Sequence, residues 1–490
     1  MALPTPTKHL LIFCDGTWCG RETRVPNAPP SNILTLASMI GEVRYDDTPG
    51  TAPKKVHPIK TALPNVTAGY QEGVGVNQTF LEYIWDGATA STIGEECTSV
   101  YKYIVENYTD DHEIWMFGFS RGAYTVRCVA GMINNCGIVK QMPDLSEEDM
   151  STLCSEIYRT YRSTLDIDAV NSDRCTRLRS DNHRVWQARR PVRFMGLLDT
   201  VGSLGIPRLN AGLGFDWPEF YDQKISSVVQ DVYHAPALHD RLWIFQPCLV
   251  FEGDAPCKAR IHQQWLPGCH YDIGRQTFRF VRQSPANGVE RLLGALPDGL
   301  SRTVFPNEVL SDVALRWMLA AVRDCDGTRT VLPDVERRIA ALDARIARPE
   351  PGATGSGDIY GNVLDYAPAG ALVRPLTAVF ALPFKALNSV FPRLGSNVLD
   401  LLGTNAILKI LTATRNRRVP GTGAELYEYK EVEDGGGGGG GGGVDRGLLS
   451  VEQVAGMREG DVNERGERRY PSRTYESFKL WRSVFGNGEV

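Results

Sequence analysis

Short apolar runs alternate with amphipathic stretches over the first part of the chain. The apolar runs predict buried strands at His9–Cys14, Glu113–Phe117, Val192–Leu198 and Ile261–Leu266. Apolar residues at helical spacing predict helices between them, at Asn32–Ile40 behind a Ser31 cap, at Ile93–Tyr108 and at Ala123–Ile133. Alternating strands and helices favour an α/β fold, with a mostly parallel, doubly wound sheet covered by helices on both faces.

The other stretches have a different pattern. Residues 24–67 are rich in Pro, Asn and Thr, and apart from the first helix they predict mostly loop. Helices are predicted again at Val309–Asp324 and Asp334–Ala347, followed by a Pro/Gly-rich connector over residues 349–358.

These patterns divide the chain into three predicted segments. Residues 1–290 are predicted to form the α/β core, and residues 291–430 a helical insertion or cap. Residues 431–490 contain a run of nine glycines, Gly435–Gly443, and are predicted to be a Gly-rich loop followed by a C-terminal segment that returns to the core.

Composition and charge narrow the class of protein. The 490 residues are 42% hydrophobic and 23% charged, which is ordinary for a globular protein, and the net charge of −5 argues against a broad nucleic-acid surface. The eleven cysteines form no C-x-x-C pair, which indicates reduced thiols and a cytoplasmic protein. No signal peptide or long apolar stretch is recognised, so no transmembrane segment is expected.

A short motif lies between a predicted strand and a predicted helix. Gly118-Phe119-Ser120-Arg121-Gly122 is a G-x-S-x-G that follows the apolar run and precedes the helix beginning at Ala123. This is the context of a nucleophile elbow, where a strained turn exposes the serine hydroxyl and glycines let strand and helix approach closely. A chance match in a chain with 49 glycines is the alternative, and the strand-turn-helix setting favours catalysis.

A serine nucleophile needs a base, and the base needs an acid that orients it. On a parallel sheet these groups come from the carboxyl ends of strands. Asp199 directly follows the strand Val192–Leu198, and His270 follows the strand Ile261–Leu266 and a Pro-Gly turn. The predicted catalytic residues are therefore Ser120, Asp199 and His270, in the chain order expected of an α/β hydrolase.

Other histidines and acids compete for these roles. His234 and His239 are the main alternative bases, and a structural role in a short helix is their other interpretation. Asp272 is the alternative acid, but its closeness in sequence to His270 favours a turn-forming role. His183 lies among arginines that oppose its protonation. The remaining histidines are predicted at strand starts or in polar loops: His9, His57, His112 and His262.

Two backbone N–H groups are expected to form the oxyanion hole. One is that of Arg121, the residue after the nucleophile. The other is predicted near Gly16 and Thr17, because Gly16 permits close approach in the turn after the first strand. A plain turn closed by the Asp15 side chain is the alternative. The same D-G-T string occurs in haloacid dehalogenase phosphatases, which need an aspartate where this chain has Phe13, so that interpretation is rejected.

Several motifs together resemble one family. They are Phe13–Trp18, Gly118–Tyr124, Gly196–Gly205, His234-Ala235 with Asp240-Arg241, and Pro267–Gly274, with Tyr470-Pro471-Ser472 as a further block. In this order they are similar to the α/β-hydrolase family typified by the catalytic domain of type VI secretion phospholipase effectors, which has many fungal members. The resemblance implies phospholipase or carboxylic-ester hydrolase activity, with Ser120 as nucleophile, Asp199 as acid and His270 as base.

The chain departs from the family pattern in two respects. Members usually carry a glycine triplet after the His-x-Asp block, whereas Gly274 is followed here by Arg275 and Gln276. A differently shaped loop, with an effect on substrate access, is therefore expected next to His270. The chain also lacks the large membrane-associated C-terminal region of the bacterial effectors, so a toxin role is not carried over.

The expected partners are an ester or phospholipid substrate and a peripheral membrane surface, with no nucleic acid. No cofactor or metal is predicted, because Asp15 and Asp272 lack ligand spacing and no nucleotide-binding motif is found. The apolar and basic stretch 371–418 is either an interfacial lid or, as we favour, a helical pair packed on the core. The alternative functions are a non-catalytic lipid- or protein-binding member of the fold and a soluble-ester carboxylesterase.

Overall fold

A computed structural model of the chain describes residues 8–17, 19–20, 28–45, 56–73, 90–142, 144–202, 224–238, 240, 245, 247–252, 258–266, 268–279, 303–348 and 425–426. The strands in these ranges are β1 (Lys8–Cys14), β2 (Glu42–Val43), β3 (Val56–Lys60), β4 (Val66–Gln71), β5 (His112–Phe119), β6 (Ile138–Val139), β7 (Val185–Trp186), β8 (Val192–Leu198), β9 (Val229–Ala235), β10 (Arg260–Trp265), β11 (Phe278–Arg279), β12 (Thr303–Val304) and β13 (Glu425–Leu426).

Eight α-helices occur in the same described ranges. They are α1 (Asn32–Ile40), α2 (Ala90–Asn107), α3 (Ser120–Cys136), α4 (Glu147–Arg162), α5 (Asp173–Ser180), α6 (His270–Gly274), α7 (Glu308–Cys325) and α8 (Val335–Ala347). The Ser31 side chain accepts a hydrogen bond from the Leu34 N–H, so the predicted cap of α1 is confirmed.

The central sheet has nine strands in the order β13-β10-β9-β8-β5-β1-β4-β3-β2. Every neighbouring pair from β13 to β4 is parallel, and only the β4–β3 and β3–β2 pairs are antiparallel. The predicted α/β fold with a mostly parallel sheet is therefore confirmed. The strands β5 and β8, which precede Ser120 and Asp199, are neighbours, and their carboxyl ends meet at one edge of the sheet.

Helices cover both faces of this sheet. In β1, Leu11 and Phe13 belong to one hydrophobic cluster, which includes residues of α1, α7 and α8. The alternate residues Leu10 and Ile12 belong to a second cluster, which includes residues of α2, α3 and α4. Because successive side chains of a strand point to opposite faces, the near-continuous apolar run of β1 is what a strand buried on both sides requires.

Three predictions about local structure are wrong. Strands β2 and β3 lie within the stretch predicted as loop, and β4 begins at its end; Pro58 and mixed polarity make this antiparallel edge hard to recognise from sequence. His234 lies in β9, not in a short helix, because its neighbours Val232 and Ala235 pack into the sheet. His57 and His112 lie in strands β3 and β5 rather than in loops.

The helices after residue 290 pack directly on the sheet. Helix α7 contacts β8 and β9, and α8 packs against α7. Farther along the chain, β13 pairs with β10 at the sheet edge. The predicted division at residue 290 stays a prediction, although the packing of α7 favours a core that continues past it. The predicted features at 349–358, 371–418 and 431–490 lie outside the described residues.

Two general features bear on the setting of the protein. In the part of the chain that the structure describes, no helix has the length and apolarity needed to cross a bilayer. The ten cysteines in the described ranges are thiols, and nine of them are buried. A cytoplasmic location stays a prediction.

Candidate active site

Ser120 occupies a strained turn between β5 and α3. Its φ is +55°, in the left-handed region, while the preceding Phe119 is extended. A Cβ on Gly122 would lie 2.2 Å from the Cys14 carbonyl oxygen, and one on Gly118 would lie 2.5 Å from the Ala123 Cα. Side chains at these two positions would therefore separate β5, α3 and β1. The glycines of the motif let the helix start immediately after the strand, which is the geometry of a nucleophile elbow.

The structure brings Ser120, His270 and Asp199 together. Ser120 Oγ and His270 Nε2 are 2.8 Å apart, and His270 Nδ1 and Asp199 Oδ2 are 2.7 Å apart. All three residues are buried. A carboxylate can only accept, so the proton of the ring lies on Nδ1, and Nε2 is left as the acceptor for the Ser120 hydroxyl. The three side chains thus form one chain of hydrogen bonds.

Backbone groups hold the acid and the imidazole in place. Asp199 follows β8 directly with a φ of +37°, and its Oδ1 accepts the Ala237 N–H at 2.8 Å. The N–H of His270, the first residue of α6, donates to Asp240 Oδ2 at 2.9 Å. Asp240 was singled out in the sequence only as part of a family block, since no local pattern reveals an acid that acts through a backbone amide.

His234, the alternative base, contacts the residue that follows Asp199 in the chain. Its Nδ1 is 2.9 Å from Gln263 Oε1, and its Nε2 accepts the Thr200 N–H at 3.3 Å. These contacts fix the start of the loop that carries Asp199. His239, the other alternative base, lies outside the described residues.

Two aromatic rings stack against the His270 imidazole. The Phe245 ring lies 4.3 Å from it at an interplanar angle of 19°, and the Phe119 ring lies 4.7 Å from it at 31°. Such packing restricts rotation of the imidazole and places the negative faces of the rings against it. Sequence reasoning missed Phe245, because a phenylalanine in a loop carries no signal of this role.

The turn after β1 lies against the elbow. A Cβ on Gly16 would be 3.0 Å from Ser120 Cβ and 2.5 Å from the Phe119 ring, so only glycine fits there. The Gly16 N–H donates to Asp15 Oδ1 at 2.8 Å, and the Gly16 carbonyl accepts the Cys19 N–H at 3.0 Å. The turn closed by the Asp15 side chain, the alternative interpretation, is therefore present, and it engages the Gly16 N–H. The remaining candidate in this turn for an oxyanion-hole donor is the N–H of Thr17.

Asp15 is buried, and among the described residues its hydrogen-bond partners are hydroxyl and amide groups, not cations. Its Oδ2 accepts the Tyr70 hydroxyl at 2.7 Å and also the Ser31 hydroxyl. Burial in a low-dielectric environment raises the pKa of the Asp15 carboxyl to about 6, against the lowering effect of these hydrogen bonds. Asp15 therefore holds the turn in place and ties it to α1 and β4.

Arg275 and Gln276, where a differently shaped loop is expected from the sequence, have defined contacts. Arg275 has a φ of +54° and pairs with Asp312, which lies on α7. Gln276 donates from Nε2 to the Thr17 carbonyl at 2.6 Å, so it joins the His270 segment to the turn after β1. The expected difference in the shape of this loop thus takes the form of two side-chain links that glycines could not make.

The remaining predicted residues have structural partners. The Arg121 side chain pairs with Glu96 at 3.2 Å, so its predicted role concerns its backbone N–H alone. Asp272 accepts the Cys269 and Asn307 N–H groups, which fits the turn-forming role. Among the residues described, no group of three or more His, Cys, Asp or Glu side chains is arranged to hold a metal ion.

The chain belongs to the family described as "T6SS, Phospholipase effector Tle1-like, catalytic domain", whose model matches residues 8–321. This confirms the resemblance, and membership suggests a lipid-hydrolysing enzyme. An uncharacterized protein of Saccharomyces cerevisiae, YEL023C, is 25% identical over 240 residues, which are 48% of this chain and 31% of that protein.

A solved structure of an uncharacterized protein from Pseudomonas aeruginosa aligns with this chain over 70% of this chain and 51% of the bacterial chain. It is 14% identical, with a TM-score of 0.32, a similarity too low to define the fold. The chain thus spans about a third of the yeast relative and about half of the bacterial chain.

Proposed function

We propose that this protein is an α/β-hydrolase that cleaves carboxylic esters of phospholipids or related lipids through a Ser120-His270-Asp199 triad. The observation that carries the proposal is the 2.8 Å contact between Ser120 Oγ and His270 Nε2, continued at 2.7 Å to Asp199. A serine hydroxyl becomes a useful nucleophile only when a base lies within hydrogen-bond reach, and this base is itself oriented by a buried carboxylate.

The reaction proceeds by acyl transfer in two stages. His270 Nε2 takes the proton of Ser120 while Oγ attacks the ester carbonyl carbon, and Asp199 stabilises the resulting imidazolium. The imidazolium then gives its proton to the leaving alcohol as the ester bond breaks, which leaves Ser120 acylated. Water attacks the acyl-enzyme with His270 again as base, and the carboxylic acid and the free serine are released.

Charge on the carbonyl oxygen is held by backbone N–H groups. Arg121 lies in the first turn of α3, so its amide lies at a helix N-terminus next to the nucleophile. We assign the second donor to the Thr17 N–H, because the Gly16 N–H already donates to Asp15. Gly16 contributes by its lack of a side chain, which lets this turn approach Ser120.

The substrate class is inferred from the family. A phospholipase acts on lipid that is packed in a surface, so a peripheral membrane contact is part of the proposal. A carboxylesterase for soluble esters would use the same triad, and a non-catalytic lipid- or protein-binding member would keep the cleft without turnover.

Labelling with a fluorophosphonate probe tests the nucleophile. We expect the folded wild-type protein to be labelled, Ser120→Ala to lose the label, and Ser155→Ala, which alters a serine on α4 away from the triad, to keep it. Ester hydrolysis in Ser120→Ala should fall by at least about a thousandfold. Wild-type protein that is folded but unlabelled would contradict the enzyme and favour the binding protein. Faster hydrolysis of a short-chain ester than of micellar phospholipid would favour the carboxylesterase.

A further inference from the structure

A small cavity adjoins the turn that carries Thr17. Its volume is about 150 Å³, which is several times the space that one water takes in the liquid. It is lined by Cys19, Gly20, Ala28, Pro29, Pro30, Ser31, Leu34, Arg275, Gln276 and Thr277. Cys19 and Gln276 in this lining bond to the carbonyl groups of Gly16 and Thr17. The cavity therefore lies next to the turn that packs against Ser120.

Two buried polar groups in the lining have unused hydrogen-bonding capacity. Arg275 is 7% exposed and Thr277 is 8% exposed. Arg275 Nε and Thr277 Oγ1 have no hydrogen-bond partner among the residues that the structure describes. A buried donor without a partner is destabilising, and more so when it is charged. Each atom exposes less than 1 Å² of surface, so a ligand in the cavity that accepts hydrogen bonds would meet these two groups once their side chains turn toward it.

The charges around the cavity favour an anion. Arg275 and Arg345 both pair with Asp312, which leaves one positive charge in excess in this group of three; Glu308, a further acid that acts on Arg275, is exposed to solvent and therefore screened. Burial lowers the pKa of the Arg275 guanidinium, because one carboxylate shared by two arginines does not replace its lost hydration. The Asp15 carboxylate lies behind Ser31 and accepts that hydroxyl, so Ser31 separates it from the cavity.

The backbone conformation of Arg275 also supports a role for its side chain. A non-glycine residue in the left-handed region is strained, and this φ of +54° is one that glycine adopts freely. An arginine in this strained conformation indicates a use for its side chain.

We propose that Arg275 and Thr277 bind a phosphate group in this cavity, and that this is the phosphate of a glycerophospholipid substrate whose ester is cleaved at Ser120. This inference rests on the proposed function. The Arg275 Nε–H and the Thr277 hydroxyl donate to phosphate oxygens, and the excess positive charge offsets the phosphate. Gln276 lies between these two residues in sequence and donates to the Thr17 carbonyl, so lipids with a phosphate are selected beside the turn of the proposed oxyanion hole.

Paired substrates test this selection. We would measure kcat/KM on phosphatidic acid and on diacylglycerol with the same acyl chains, in mixed micelles, for full-length wild type, Arg275→Lys and Thr277→Val. Arg275→Lys keeps the charge but removes Nε–H, and Thr277→Val removes only the hydroxyl at nearly constant volume. We expect each variant to lower the ratio of phosphatidic acid to diacylglycerol hydrolysis by about tenfold, the size of one lost charge-assisted hydrogen bond.

A matched control is Arg316→Lys, which alters another buried arginine, paired with Asp343 and outside the cavity lining. Its substrate ratio should stay within about twofold of wild type, as for sites without shared partners. An unchanged ratio in both cavity variants, or an equal loss on both substrates, overturns the proposal. If Arg275→Lys fails to fold, the ratio of Thr277→Val decides.

Binding of inorganic phosphate, measured by calorimetry, separates the sources of the anion and does not depend on turnover. Phosphate binding to wild type that is lost in both cavity variants supports the site. If the same variants leave the substrate ratio unchanged, the site binds free phosphate, and the assignment to the lipid headgroup is overturned. Absence of phosphate binding with the expected ratio supports the lipid headgroup alone. If wild type hydrolyses neither lipid, the proposed function fails. Phosphate binding then tests the site by itself, and absence of phosphate binding overturns the site.

Discussion

Two strands of the same sheet each end in a buried aspartate, and the two aspartates face different partners. Asp15 follows β1 and Asp199 follows β8, and both are 3% exposed or less. Asp199 accepts from the His270 ring and from a backbone amide. Asp15 accepts from two hydroxyls and from the amide of the next residue.

The difference shows that position at the carboxyl edge does not define the role of an acid. An imidazole against the carboxylate can gain a proton during a reaction, so Asp199 can stabilise a charge that appears only in the transition state. Hydroxyl and amide donors stay neutral, so Asp15 can only hold a turn. The comparison therefore separates a proposed catalytic acid from a structural one.

Replacing each aspartate by asparagine should give the largest contrast. Asp199→Asn presents an amide donor to His270 and disfavours the tautomer that can accept the Ser120 proton, so kcat should fall about 10⁴-fold with little change in KM. Asp15→Asn should lower kcat by less than about a hundredfold, because it loosens one oxyanion donor at most. Equal losses in the two variants, measured on one ester, would mean that Asp15 takes part in the chemistry.

The second largest expected effect is on the pH dependence of stability, which tests the environment of Asp15. The pKa of Asp15 is raised from its ordinary value of 3.8 to about 6, so the folded protein binds more protons than the unfolded chain between these values, and stability falls as pH rises through this window. The full effect is about 3 kcal/mol. We expect the free energy of unfolding of Asp15→Asn, relative to wild type, to shift by about this amount in favour of the variant between pH 4 and pH 7.

Urea unfolding at each pH measures that shift. Asp231→Asn is an unsuitable comparison because Arg193 and Arg260 pair with this carboxylate, whereas Glu147→Gln changes an exposed acid on α4 and should leave the slope unchanged. A wild-type slope that Asp15→Asn retains would mean that another group titrates in this range.

The smallest expected effect concerns the link between the two regions. Gln276→Leu removes the hydrogen bond to the Thr17 carbonyl at nearly constant side-chain size, so the turn with the proposed oxyanion donor should lose alignment and kcat should fall about fivefold, near 1 kcal/mol. Gln187→Leu, at an exposed glutamine that donates to Arg179 and Val185, is the matched variant and should keep full activity. If Gln276→Leu changed KM alone and left kcat unchanged, the proposed role of this hydrogen bond in aligning the turn would be contradicted.

Four of the nine strands of the central sheet, β1, β5, β8 and β10, could be predicted from local pattern. Strands buried on both faces, such as β1 and β8, are long apolar runs, and the start of α1 is marked by its Ser31 cap. Strands β2 to β4 were not predicted, because β2 and β3 form a short antiparallel edge that includes Pro58, and β4, which joins this edge to β1, has mixed polarity. His234 was misassigned to a helix because its segment contains a proline and two histidines, while its conformation is set by pairing with β8 and β10.

The candidate site was accessible to sequence reasoning in part. Ser120, Asp199 and His270 each follow a predicted strand, and a parallel sheet must bring such positions to one edge. The contacts around them were not accessible. Asp240 acts on His270 through a backbone amide, and Phe245 acts through ring stacking, and neither interaction imposes a pattern on nearby residues.

The order of residues along the chain was enough to determine an α/β architecture, a strained serine turn and the acid and base that could serve it, because strand burial and turn chemistry act over a few neighbouring positions. Only the tertiary structure decided which donor of the Asp15-Gly16-Thr17 turn is already used, that Gln276 links this turn to the His270 segment, and that Arg275 pairs with Asp312 on α7. Hydrogen bonds and ion pairs between residues far apart in sequence depend on distances that folding alone creates.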